Sequence, residues 1–154
     1  MNSTELIGHI QYGVTPDEAM AVDMARRATM LDKYAAEFDK NGRRDIAEGM
    51  AMETKGEAMA AKGTQDYAAL KQGIGETVPS RTKKSEAQRA VEAYRMRAAG
   101  PKLAIKGRRL IREGRNRLAE AEALVREAKR LRRLVVIIDK AIARGETPVL
   151  PGHK

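Results

Sequence analysis

Residues 42–63 read GRRDIAEGMAMETKGEAMAAKG, with glycine at 42, 49, 56 and 63, once in every seven residues. The rest of the stretch is Ala, Met, Glu and Lys, residues that favour helix, whereas an interior glycine costs about 1 kcal/mol against alanine. A helix that accepts this cost at a fixed spacing needs a compensating contact or a bend. Gly100, Gly107 and Gly114 repeat the spacing. Continued forward, the second register reads Gly107, Gly114, Ala121, Ala128, Val135 and Ile142. Four residues before each lie Leu103, Leu110, Arg117, Leu124, Leu131 and Ile138. One row is small at its start and the other is large except at Arg117, which is a heptad seam with small residues at one of its two positions. In the first stretch Met52 and Met59 hold the large position beside Gly49 and Gly56.

Two readings of the ladders are open. Small residues on a seam let two helices approach closer than the usual 8–10 Å; alternatively the glycines are hinges. Gly42 and Gly63 also suit a turn and a cap, so the packing argument rests on Gly49, Gly56, Gly107 and Gly114. The seam residues expected are these four with Leu103, Leu110, Leu124, Leu131 and Ile138. Whether the seam closes within the chain, between copies or against another protein is open at this stage.

The fold class is all-α, and no alternating apolar pattern competes. In "TPDEA", Thr15 reads as an N-cap, Pro16 as a first helical residue and Glu18 as the partner in a capping box. The helix begun there is expected to run to about Lys40, with Met20, Met24, Leu31, Tyr34 and Phe38 forming its apolar stripe. A short helix carrying Leu6, Ile7 and Ile10 precedes it. Asn41-Gly42 reads as a turn, and a further helix runs from about Arg43, with a pause expected at Gly63-Thr64. The expected organisation is an acidic helical hairpin region over 1–73, a linker over 74–84 and a basic long-helix region over 85–154. Ser85 with Gln88 reads as a capping box, Gly100-Pro101 as a break or kink, and 102–144 as a last long helix that Gly145 ends before a tail.

Composition narrows the function. Leu, Ile, Val and Phe make 28 of 154 residues and the net charge is +9, near the boundary of chains too poor in large apolar groups to order alone. A helical chain completing its core on a partner fits both facts. Residues 1–80 hold 9 Lys/Arg and 13 Asp/Glu; residues 81–154 hold 21 and 8. The basic half points to a polyanion or an acidic protein surface. Arg108, Arg109, Arg112, Arg115, Arg126, Lys129, Arg130 and Arg133 lie mainly off the seam, as a stripe suited to nucleic-acid phosphates. No aromatic interrupts it, so base stacking is not supported. Val136 and Ile137 also lie off the seam, and "LVVII" is expected to be wrapped by the N-terminal helices or by another chain.

No chemistry is expected. There is no cysteine, so thiol catalysis and zinc-thiolate sites are excluded. The two histidines, His9 and His153, stand at opposite ends of the sequence. No HExxH, GxGxxG or GxxxxGK[ST] motif occurs. Neither catalytic residues nor a metal, cofactor or small-molecule substrate is expected. No signal peptide or transmembrane stretch is visible, so the expected location is intracellular and soluble, or virion-associated if the chain is of phage origin. The leading expectation is a non-enzymatic helical component of a larger assembly, such as a phage virion or ejected internal protein, with a basic helix face near nucleic acid. The alternatives are a free, sequence-nonspecific nucleic-acid-binding protein of nucleoid or ribonucleoprotein type, and a helical regulator of an acidic protein partner. Expected partners are therefore other protein subunits, copies of the chain or different ones, and the nucleic-acid backbone.

Overall fold

The computed structural model describes residues 17–72 and 85–151. Among them are two helices and no strand: α1, Glu18–Lys71, and α2, Glu86–Ala143. The molecule divides into two compact units. One is Lys40–Leu118; the other combines Met1–Asp39 with Ala119–Lys154. Each unit pairs a stretch of α1 with an antiparallel stretch of α2.

Three expected interruptions are absent. Asn41-Gly42 and Gly63-Thr64 lie inside α1, and Gly100-Pro101 lies inside α2. The N-terminal stretch is therefore one continuous helix and not a hairpin. Its antiparallel partner is α2. The reason is tertiary. Most helical stability in proteins comes from packing one face rather than from propensity, and Gly42, Gly63 and Gly100 are all buried where the two helices meet. Pro101 cannot supply the helical N–H bond to the carbonyl of Arg97. It is exposed, away from α1, where water can take that carbonyl.

The helix ends follow local chemistry. Asp17 caps α1, its Oδ1 accepting from the Met20 N–H at 2.9 Å. The expected cap Thr15 and the expected first helical residue Pro16 lie outside the described residues, as do the short helix over 3–13, both histidines and linker residues 73–84. Ser85 and Gln88 form the reciprocal capping box: Gln88 N–H donates to Ser85 Oγ at 3.3 Å, and Ser85 N–H donates to Gln88 Oε1 at 3.1 Å. We expect Ser85→Ala to lower stability by about 1 kcal/mol, read as a drop in the denaturant midpoint at unchanged slope. Gly145, with φ 69°, ends α2. The Glu146 N–H reaches Ala141 O at 2.9 Å and the Gly145 N–H reaches Ile142 O at 3.0 Å, the paired bonds of a Schellman stop. Beyond the stop, Leu150 packs against the core of its unit.

The two units are filled differently. In the unit of 1–39 and 119–154, Ala21, Met24 and Ala28 pack with Ala128, Leu131, Leu134 and Ile138, flanked by Leu31, Val135 and Leu150. Of the expected α1 stripe, Met24 is buried, Met20, Leu31 and Phe38 are half-buried, and Tyr34 is 49% exposed. In Lys40–Leu118 the buried residues are Gly42, Asp45, Gly49, Gly56, Gly63, Ala93, Gly100, Ala104, Gly107 and Gly114. Apart from one carboxylate and the methyls of Ala93 and Ala104, that is backbone against backbone.

Candidate interfaces on α1 and α2

The glycine ladders of unit Lys40–Leu118 face each other. Gly42 lies against Gly114, Gly49 against Gly107, Gly56 against Gly100 and Gly63 against Ala93. A methyl group built on Gly42 would come within 2.7 Å of the Gly114 carbonyl oxygen, and one on Gly49 within 2.5 Å of that of Gly107. One on Gly100 would stand 2.5 Å from the Ala60 nitrogen, and one on Gly107 2.6 Å from the Glu53 nitrogen. Side chains do not occupy such distances. The glycines are therefore required for close approach, and the hinge reading is not needed to explain them. The approach brings each Cα beside a carbonyl of the other helix, where Cα–H···O contacts contribute modestly.

The small row extends beyond the glycines. In the other unit Ala21, Ala28 and Ala35 continue the α1 register, and Ala121 and Ala128 continue that of α2; all five are buried. Beside the small rows run the large ones. Leu131 and Ile138 are buried, while Leu103, Leu110, Leu124, Met52 and Met59 are half-buried. Each large row carries charge within Lys40–Leu118, Asp45 and Asp66 on α1 and Arg89 and Arg117 on α2, and Asp45 pairs with Arg117. The Asp45 side chain is 5% exposed and that of Arg117 41%. Arg44 approaches the same carboxylate at 3.7 Å. Sequence reasoning noted Arg117 as the exception in its row and read Ala121 and Ala128 into the α2 register, but missed Asp45 and the α1 alanines Ala21, Ala28 and Ala35. The signal was there: Asp45 stands seven residues before Met52. The turn assumed at Asn41-Gly42 concealed the register.

With the glycines at heptad position a, the expected basic residues occupy b, c and f, the positions away from α1. In Lys40–Leu118 these are Arg108, Arg109, Arg112 and Arg115, all exposed. In the other unit Arg126, Lys129 and Arg133 are exposed. Arg130 is half-buried and engaged: its Nε and terminal nitrogen donate to Glu127 at 3.0 and 2.8 Å. The hydrogen bond to Glu127, together with that residue's charge, raises the Arg130 pKa against the lowering effect of burial. Arg130 is thus the member of the stripe whose charge is already answered within the chain. Arg132, outside the expected set, pairs with Asp32 of α1.

Val136 is 49% exposed, and Ile137 is half-buried beside Arg132 and Arg133 in a shallow depression. Among the described residues, α1 does not wrap this end all round. No group of three or more His, Asp or Glu residues placed to hold a metal occurs among the described residues. No helix among them is long and apolar enough to cross a membrane. The chain matches no protein-family model, and no curated protein or solved structure shows significant similarity to it.

Proposed function

We propose that the protein is a non-enzymatic helical component of a larger assembly, contributing closely packed helices and presenting an arginine surface to nucleic acid. The observation that carries this reading is the placement of Arg108, Arg109, Arg112 and Arg115. All four are exposed, within about two turns, on the side of α2 that the glycine seam leaves free. Arginine suits phosphate through its planar fork of donors. A face that offers only cations to a duplex positions itself on the backbone and does not read sequence. A phage virion, or an internal protein ejected from one, is the setting we favour, since there a basic helical subunit would meet packed nucleic acid. A free nucleoid-type binder is the rival within the same chemistry.

The test is a titration of the chain with duplex DNA and with single-stranded RNA at two salt concentrations. Neutralising about four phosphates predicts a slope of log affinity on log salt near −3.6, so affinity falls about 100-fold between roughly 50 and 200 mM salt. Changing Arg108, Arg109, Arg112 and Arg115 to Gln should remove most of that slope while leaving helix content unchanged. Binding with the same slope in this variant sinks the assignment of the face. Tight binding by a chain that stays monomeric favours the free binder over the assembly component.

A further inference from the structure

The outer face of α2 changes character along Lys40–Leu118. Arg108 and Arg112 occupy positions b and f. Traced back at the same positions, the row becomes Val91, Tyr94, Ala98, Pro101 and Ile105. The spacing i, i+3, i+7, i+10, i+14 is that of a second seam, on the opposite side of α2 from the glycines. Val91 is 49%, Tyr94 64% and Ile105 55% exposed, and Ala98 and Pro101 are exposed too. Isolated apolar residues on a surface need no explanation, but a heptad-spaced row of five, about 21 Å long at 1.5 Å per residue, does.

We propose that this stripe docks an acidic amphipathic helix of a partner protein. The choice of partner comes from charge. From Val91 through Arg112 the sequence has seven Lys/Arg, Arg112 included, and one carboxylate, Glu92. Arg95 and Lys102 are exposed beside the stripe, and Arg108 and Arg112 continue it. A helix with an apolar row flanked by Glu or Asp meets methyls with methyls and cations with carboxylates, the pattern that selects partners in helix-in-groove and coiled-coil pairing. A second copy docked through the same stripe would set Arg95, Lys102 and Arg108 against their own kind. The acidic part of α1 is not free to serve either, because its apolar residues Met24, Ala28 and Leu31 are packed in their own unit. Nucleic acid cannot cover Val91, Ala98 and Ile105, which offer phosphate nothing. The apolar stripe lies on the same side of α2 as the arginine cluster and adjoins it at Arg108 and Arg112. The inference goes beyond the proposed function by naming the chemistry of a protein partner.

The experiment uses the full chain and a fluorescein-labelled helical peptide of about 20 residues, roughly 30 Å long, with Leu at a and d and Glu at e and g. Controls are a scrambled peptide of equal composition and one with Lys for Glu. Anisotropy should report saturable binding of the patterned acidic peptide alone. Ile105→Glu, an outward change that should leave the circular dichroism unaltered, should weaken it about tenfold or more. Arg95→Glu with Lys102→Glu should weaken it as well. Equal binding of patterned and scrambled peptides overturns the proposal, since charge alone would then suffice. So does light scattering showing self-association that Ile105→Glu abolishes. So too does binding to vesicles of phosphatidylserine and phosphatidylcholine that is lost in Ile105→Glu while peptide binding is unchanged.

Discussion

Gly107→Leu together with Gly114→Leu is expected to abolish the pairing of α1 with α2 in Lys40–Leu118. Substituting a helix-interior glycine ordinarily stabilises, by about 1 kcal/mol for alanine and a little less for leucine. Here the sign should reverse. Even the first side-chain carbon at 107 would collide with the Gly49 carbonyl oxygen and the Glu53 nitrogen, and at 114 with the Gly42 carbonyl oxygen at 2.6 Å. These are backbone atoms of a helix, so no rotamer change relieves the clash. The helices must separate, and separation forfeits the dispersion contacts of every layer nearby. Overpacking costs about 1–3 kcal/mol per site even where side chains can yield, so two such sites should exceed what this thinly filled unit can bear. Circular dichroism at 222 nm during thermal unfolding, with proteolysis of 40–118 followed by mass spectrometry, reads the outcome. Ala61→Leu, on the exposed side of α1, is the control and should leave both unchanged. Unaltered melting of the double glycine variant would refute the close seam.

The second large effect concerns Asp45 and Arg117. Removing Arg117, for example Arg117→Met, leaves a carboxylate that is almost fully buried with only the exposed Arg44, 3.7 Å away, to answer it, and should cost about 3 kcal/mol. That is the lower end of the range for breaking a buried pair, since Arg117 itself is partly exposed. Replacing both, Asp45→Leu with Arg117→Leu, should recover most or all of that loss, because two apolar groups then continue the large rows. The double variant should lose something else. A seven-residue slip sets Gly42 opposite Gly107, Gly49 opposite Gly100 and Met52 opposite Leu103, so that small still meets small and large meets large there, but it sets Asp45 against Leu110. The ion pair therefore distinguishes the native register from the slipped one, as a single buried polar group does in coiled coils. The chain has no cysteine, so engineered pairs report cleanly. Met52→Cys with Leu110→Cys should crosslink in the native background, and Met52→Cys with Leu103→Cys only in the double-leucine background. Crosslinking of the first pair alone in both backgrounds would show that the pair does not set register.

Much of this architecture was legible before the structure. Heptad spacing of small residues, the capping box at Ser85 and the stop at Gly145 are local patterns, and each appears where the residues put it. The turn expected at Asn41-Gly42 is absent, and of the break or kink expected at Gly100-Pro101 the break is absent, for one reason. Glycine, asparagine and proline punctuate a chain when nothing packs on them, and here Gly42 and Gly100 are buried against the other helix. Local rules count the cost of such residues in an isolated helix and cannot count a contact made with a strand of chain far away. The candidate faces divide the same way. That Arg108, Arg109, Arg112 and Arg115 share the side away from the seam follows from periodicity alone. That Arg130 is engaged by Glu127, and that Tyr94 and Ile105 stay uncovered, depends on how the helices turn their faces.

By itself, the sequence determined that the chain is helical, that small residues recur once per heptad on two stretches, and that the second half is basic. These are properties of composition and spacing within a few turns. Only the tertiary structure decided that the two ladders are each other's partners, which made α1 one helix instead of a hairpin. It also joined Asp45 to Arg117 across 72 residues. The physical reason is that a glycine is small whatever it faces. Its worth depends on a backbone arriving within van der Waals reach, and that arrival is a property of the folded pair.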